Sequence, residues 1–152
     1  MIEEFAYNFI FNIKNVFDNA NTGKYFYENV GGIARKAKRF IVYIMSEGLV
    51  KALMFAYSKA KTENIQNFEE VTKNVAHKRI EWSETYDWIV VSKFTIDFIK
   101  ENFGKILGNL STDPEDFIGT LIANKDRLLY VEEITIKALN ILSMLCVALE
   151  RR

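Results

Sequence analysis

The sequence predicts an all-α fold, a single domain over residues 1–152 built as a helical bundle of about six or seven helices. Three observations carry that expectation. Proline occurs once, at Pro114, and glycine seven times in 152 residues, so backbone breakers are too sparse for many short strands and turns. Apolar residues recur at three- and four-residue steps along most of the chain, the period of an amphipathic helix. An apolar content of 49%, with 12 Phe, 7 Tyr and 2 Trp, supplies the bulk of a core. A domain of this length buries roughly 68–70% of its unfolded surface.

The elements follow in order. Ile2, Phe5, Phe9, Ile10, Ile13, Val16 and Phe17 form one helical stripe, which ends near the turn-prone "DNANTG". Gly31-Gly32 reads as a turn, after which a second helix begins with Ile33, Ala37, Phe40, Ile41 and Ile44 on one face. Gly48 stops it, since glycine adopts left-handed conformations at little cost. "LVKALMFAYSKAK" is apolar on almost every side except at Lys51, Ser58 and Lys59, the pattern of a central helix. Asn67 with Glu70 three residues on has the form of a variant capping box before Val71 and Val75. Residues 85–107 suit a helix through Trp88, Val91, Thr95, Phe98, Ile99, Asn102 and Ile106. "WIVVSKFTI" also suits a strand, but no partner strand is apparent, which favours helix. "STDPED" starts another helix, with Asp113 as cap, Pro114 at the first position and Glu115 and Asp116 against the positive helix end. The last helix is expected from about Asp126 to Leu149 with Ile134, Ala138, Ile141, Leu142, Leu145 and Leu149 as its stripe. Ile136, Leu139 and Val147 on its other faces point to burial on two sides or to a neighbouring molecule.

Most chemistry is missing from this inventory. One histidine, His77, and one cysteine, Cys146 in an apolar run, exclude an internal disulfide and argue against zinc sites, helical di-metal centres and Ser-His-Asp or Cys-His arrangements. No glycine-rich loop fits a phosphate-binding template. Glu69-Glu70 and Glu132-Glu133 are adjacent on helices, which sends them to different faces, and solvated surface accounts for them. The chain is therefore expected to be non-enzymatic, with no cofactor and no metal. The start Met-Ile-Glu-Glu lacks a basic-then-apolar leader, and Lys137 and Asn140 interrupt the longest apolar stretch below the ~20 residues of a membrane span. A cytoplasmic location is expected, with no membrane partner.

The charges are segmental. Residues 24–61 carry Lys24, Arg35, Lys36, Lys38, Arg39, Lys51, Lys59 and Lys61 against Glu28 and Glu47, a net of plus six, although the whole chain balances 20 cations with 20 acids. On the helical wheel Arg35, Lys38 and Arg39 oppose the apolar stripe and Lys36 lies on the flank. Arg35 and Arg39 are one turn apart with no acid at a compensating spacing, which costs a helix roughly 0.2–0.5 kcal/mol per pair. A plain solvated face explains such a run. So does a polyanion, whose phosphates relieve the repulsion and are held without reading bases, and so does an acidic protein surface.

"ARKAKRFIVYIMSEGLVKALMFAYSKAK" resembles the hallmark segment of the small helical subunit of the Cmr, or type III-B, CRISPR effector complex. The match lies in Ala34-Arg35, Lys38-Arg39, the apolar run Phe40 to Met45, Gly48-Leu49, Ala52-Leu53 with Phe55, and Ser58-Lys59. The closing "YVEEITIKALNILSMLCVALERR" is similar to the last helix of that family. Together the two cover about a third of the chain, and residues 62–125 match only in being helical. The resemblance implies a non-catalytic subunit of an antiviral defence complex. Copies would stack as a filament beside other effector subunits and contact the backbone of guide RNA and target RNA. By position, Arg35, Lys36, Lys38 and Arg39 would make those contacts, with Lys51 and Lys59 adding to them. Two other classes stand beside it: a helical protein-interaction subunit of another cytoplasmic assembly without RNA contact, and a helical enzyme or small-ligand binder for which no residue constellation can be named. An RNA-lining role demands that intramolecular carboxylates leave these cations free.

Overall fold

A computed structural model describes residues 1–108 and 110–151; Asn109 and Arg152, the last residue of the closing segment, lie outside it. The described chain is all-α and contains no strand. The helices are α1 (Ile2–Asn19), α2 (Gly23–Asn29), α3 (Gly31–Glu47), α4 (Leu49–Ala60), α5 (Thr62–Gln66), α6 (Phe68–Ala76), α7 (Glu84–Leu107), α8 (Pro114–Ala123) and α9 (Leu128–Leu149), with a 3₁₀ turn at Lys125–Arg127 before the last. Seven of them span nine residues or more, in line with the predicted bundle.

Helix α7 is the centre. It resolves the helix-or-strand ambiguity of residues 85–107 in favour of helix, and Trp88, Val90, Val91, Phe94 and Phe98 are buried around its circumference. The broadest packings are α4 on α7 and α3 on α9. Central position thus belongs to α7, whereas α4, the expected central helix, exposes Lys51, Met54, Ser58 and Lys59. Its fully buried row Ala52, Ala56, Ala60 lies at i, i+4 spacing, and such small side chains let neighbouring helices approach closely.

Helices α3 and α9 run antiparallel. Ser143 Oγ donates to Ala34 O at 3.3 Å near one end, and Glu132 accepts from the backbone N–H of Leu49 at the other. The buried stripe of α9 is Leu128, Val131, Thr135, Ala138, Leu139, Leu142, Ser143 and Cys146, while Ile134, Ile141, Leu145 and Leu149 are only half-buried. The expected stripe is therefore rotated. Hydropathy selects Ile and Leu, but close contact with α3 favours the smaller Thr, Ser and Cys.

One turn reading and one cap reading are corrected. Gly31 and Gly32 are the first residues of α3, and the short helix α2 precedes them. Glycine is needed at Gly32, where a Cβ would sit 2.5 Å from Oδ2 of the buried Asp87, whereas a Cβ at Gly31 would meet only the far end of the Glu150 side chain. Asn67 does precede α6, but its side chain donates back to Glu63 O at 2.9 Å, so the capping box with Glu70 does not form. Asp113 behaves as predicted: its carboxylate accepts from Asp116 N at 3.2 Å, with Pro114 opening α8. Gly48 joins α3 to α4 at φ +87°, the left-handed side that favours glycine.

Candidate nucleic-acid interface

The cations of the basic segment distribute over the α3–α4 hairpin according to helix phase. The buried arc of α3 runs through Ile33, Ala34, Ala37, Phe40, Ile41 and Ile44, which leaves Arg35, Lys38 and Arg39 on the opposite side, all exposed. Gly48 reverses the chain, and α4 carries Lys51 and Lys59 back along α3, both exposed.

Arg39 and Lys59 converge although 20 residues separate them. The Arg39 guanidinium carbon lies 5.7 Å from the centroid of the Phe55 ring, and Lys59 Nζ lies 5.4 Å from the same centroid. The negative face of an aromatic ring attracts cations, typically by about 0.5–1 kcal/mol at exposed sites. Phe55 is held for this role: it stacks on Tyr43 at 4.2 Å and meets Trp88 edge-on at 5.4 Å. Neither Arg39, Lys59 nor Lys38 has a carboxylate in ion-pair range among the described residues.

The other predicted cations differ. Lys36 is a correction: it is 7% exposed and points inward, not along the flank of an open face. Its ammonium donates to Glu84 Oε1 at 3.1 Å and lies 3.9 Å from Asp87 Oδ2. A buried ammonium needs such partners to offset its lost hydration, and no anionic polymer reaches it. Arg35 Nη1 is 3.8 Å from Glu150 Oε2 with its side chain 66% exposed, and Lys51 Nζ is 3.8 Å from Glu47 Oε2 at the surface. The Lys51 pair is exposed on both sides, and such pairs contribute about 0–1 kcal/mol, so Lys51 can exchange partners. The Glu150 side chain is only 18% exposed, so Arg35 is the more firmly held of the two. The structure thus gathers Arg39 and Lys59 at one ring, leaves Lys38 exposed on the same hairpin, pairs Lys51 lightly and Arg35 with a largely covered carboxylate, and turns Lys36 inward.

Beneath the exposed cations lies a buried polar layer that the sequence did not reveal. Asp87, on α7, accepts from Trp82 Nε1 at 2.8 Å and presses against Gly32. Burial pushes its carboxyl up to about 6, against the opposing pull of the Trp82 hydrogen bond and of the Lys36 and Arg35 charges. Glu84 is shifted the other way. The Lys36 hydrogen bond and charge, then the charges of Arg39 and Lys59, hold its carboxyl below the usual range. Glu84 is exposed and so marks an acidic edge to the cationic surface. Glu132, read as solvated surface, instead caps the first turn of α4, where a carboxylate satisfies an otherwise unpartnered helix N–H.

Known protein families, curated proteins and solved structures were all compared with the chain, and none matches it.

Elsewhere the described residues hold little that converges. His77 is exposed at the end of α6, and no group of three or more His, Cys, Asp or Glu side chains among them is arranged to hold a metal. Cys146 is buried, and burial raises its thiol well above the usual range. A cleft of about 880 Å³ lies between α1, α6 and α7, away from the exposed cations of the hairpin; there Lys93 Nζ is paired with Asp97 Oδ1 at 3.2 Å. No described helix is long and apolar enough to cross a membrane.

Proposed function

We propose that the chain is a non-catalytic small subunit of a type III-B CRISPR RNA-guided effector complex. It holds the backbone of guide and target RNA along the α3–α4 hairpin, stacks with copies of itself and acts in the cytoplasm. The observation that supports this most is the set Lys38, Arg39 and Lys59, drawn from two helices and exposed with no carboxylate in ion-pair range among the described residues. The residues of the resembling segment, 34–61, are those that build most of this hairpin. Phosphates neutralised by such cations release condensed counterions, a driving force indifferent to sequence. Sequence is then read by base pairing, while protein cations position the strand. Lys51 joins once a phosphate displaces its surface carboxylate, Arg35 adds an exposed guanidinium beside the largely covered Glu150, and Glu84 limits the track by repelling phosphate. Lys36 serves the site only by tying α3 to α7.

The test is charge reversal of all three cations, Lys38→Glu, Arg39→Glu and Lys59→Glu, in one variant. Each is exposed, so helicity measured by circular dichroism is expected to be unchanged. Affinity for an RNA duplex is expected to fall at least roughly tenfold, about 1.4 kcal/mol. Unchanged affinity would overturn the proposal.

One observation favours a second reading, a protein-interaction subunit that does not touch RNA. Val42 and Met45, 63% and 71% exposed, share the outer side of α3 with Lys38, and Met144 and Val147 are exposed on α9, the helix packed beside it. Under that reading the chain ignores RNA, and Val42→Ser with Met45→Ser abolishes its co-purification with a larger assembly.

A further inference from the structure

A second aromatic and cationic surface lies on the side of α1 that faces α2 and the end of α9. Tyr7 and Phe11 are stacked at 4.2 Å with their planes 21° apart. Lys14 Nζ sits 5.7 Å from the Phe11 centroid and 5.5 Å from that of Tyr27 on α2. The Arg151 guanidinium lies on Tyr27 at 4.1 Å, and the Arg151 backbone N–H donates to Tyr27 O at 2.8 Å. One residue earlier, Glu150 approaches Arg35 of the hairpin. A strip of contacts therefore leads from Arg151 through Tyr27, Lys14 and Phe11 to Tyr7, and Glu150, next to Arg151, connects it with Arg35 of the hairpin.

Core packing does not account for its outer end. Tyr7 remains 50% exposed although one ring face is covered by Phe11, so the exposure belongs to its other face and edges. Arg151 is likewise exposed, its guanidinium carbon over the Tyr27 ring, with no carboxylate in ion-pair range among the described residues. Lys14 is different, since Asp18 holds it at 2.6 Å, which fixes its ammonium between the rings rather than offering it to a ligand. A flat aromatic face and a flat guanidinium, both open to solvent and joined by cations, are what unpaired bases stack on.

We infer that this strip binds unpaired RNA, with bases stacked on the open face of Tyr7 and on the guanidinium of Arg151, as a continuation of the strand held at Arg35 and Arg39. The inference rests on the RNA-backbone reading only in supposing that one strand follows both surfaces. Stacking is sequence-tolerant because every base has an aromatic face. The ligand class is a single-stranded RNA segment that extends beyond the paired region.

The test uses the whole chain and two fluorescein-labelled RNAs of about twelve nucleotides, within the usual single-strand footprint. One is all adenine and the other is abasic with the same phosphates. Fluorescence anisotropy is expected to show tighter binding of the adenine strand. Tyr7→Ala, at an exposed position, should remove roughly five- to tenfold of that advantage, and Tyr7→Trp should restore it. Equal binding of the two strands, or an advantage that survives Tyr7→Ala, overturns the inference while leaving the backbone reading intact. If Tyr7 governs the adenine advantage but reversal of Lys38, Arg39 and Lys59 leaves both affinities unchanged, the backbone reading fails and the stacking site stands. Binding of neither strand overturns both.

Discussion

Asp87 couples the cationic helix to the core, and its behaviour is open to measurement. Its folded-state carboxyl lies at about 6, above the ordinary 3.8, because burial disfavours the charge. A group raised in this way contributes stability that is fully present below about pH 4 and is lost as pH rises through about 6. Two units at 1.36 kcal/mol each set the scale at roughly 2–3 kcal/mol. Urea denaturation of the wild type and of Asp87→Asn should therefore show the wild type gaining about 2 kcal/mol on the variant between pH 7 and pH 4.5. A wild type that gains on the variant as pH rises would contradict the sign. The neighbouring glycines give a second residue-level contrast. An alanine Cβ at Gly32 meets a carboxylate held by Trp82 Nε1 and Lys36, so Gly32→Ala should destabilise by about 1–3 kcal/mol. At Gly31 the obstacle is the end of the Glu150 side chain, near the end of the described chain, and it can swing aside. Gly31→Ala should be near neutral, since alanine also favours the helix. Equal losses at both positions in urea midpoints would contradict the distinction. None of this was legible beforehand. Glu84 and Asp87 stand 48 and 51 residues after Lys36, and no local pattern shows that a lysine on a helical flank turns inward to meet them.

At the scale of elements, helix signals contained in one stretch of sequence were legible, and those made by a distant partner were not. Asp113 and Pro114 announced α8 because cap, proline and first-turn acids are all local. Asn67 carried the same kind of signal, yet its amide found the closer Glu63 carbonyl. The α4 N-terminus follows Gly48 and has no cap of its own; Glu132 supplies one from α9. Glu132→Ala should therefore cost about 0.5–2 kcal/mol by urea unfolding, the range of a lost N-cap. Glu133→Ala, at the exposed neighbouring position, should cost within roughly half a kcal/mol. Equal effects would mean that Glu132 is mere surface. The stripe of α9 was misassigned for a related reason: its inward Thr135, Ser143 and Cys146 are polar or weakly hydrophobic, and only contact with α3 explains their burial.

For the whole molecule, the segmental charge becomes a surface through one reversal of the chain. Gly48 folds α4 back beside α3, and Phe55 gathers Arg39 and Lys59 at one ring. The surrounding core, centred on α7, fixes that hairpin, while Lys36 is spent on holding it to α7. Exposed Arg35, Lys38 and Arg39 were legible from helix phase alone, because Ile33, Ala37, Phe40 and Ile44 define the opposite face. The convergence with Lys59 was not, since the ring that joins them belongs to another helix.

The salt dependence of RNA binding tests the central claim most directly. Three phosphate contacts imply that log K falls with log salt at a slope of about −2 to −3, at roughly −0.7 per contact on a single strand and −0.9 on a duplex. The wild type should show at least that slope, and the variant with Lys38, Arg39 and Lys59 changed to Glu should show one shallower by about that amount. A flat response in the wild type, or the same slope in both proteins, would mean that these cations do not hold an RNA backbone.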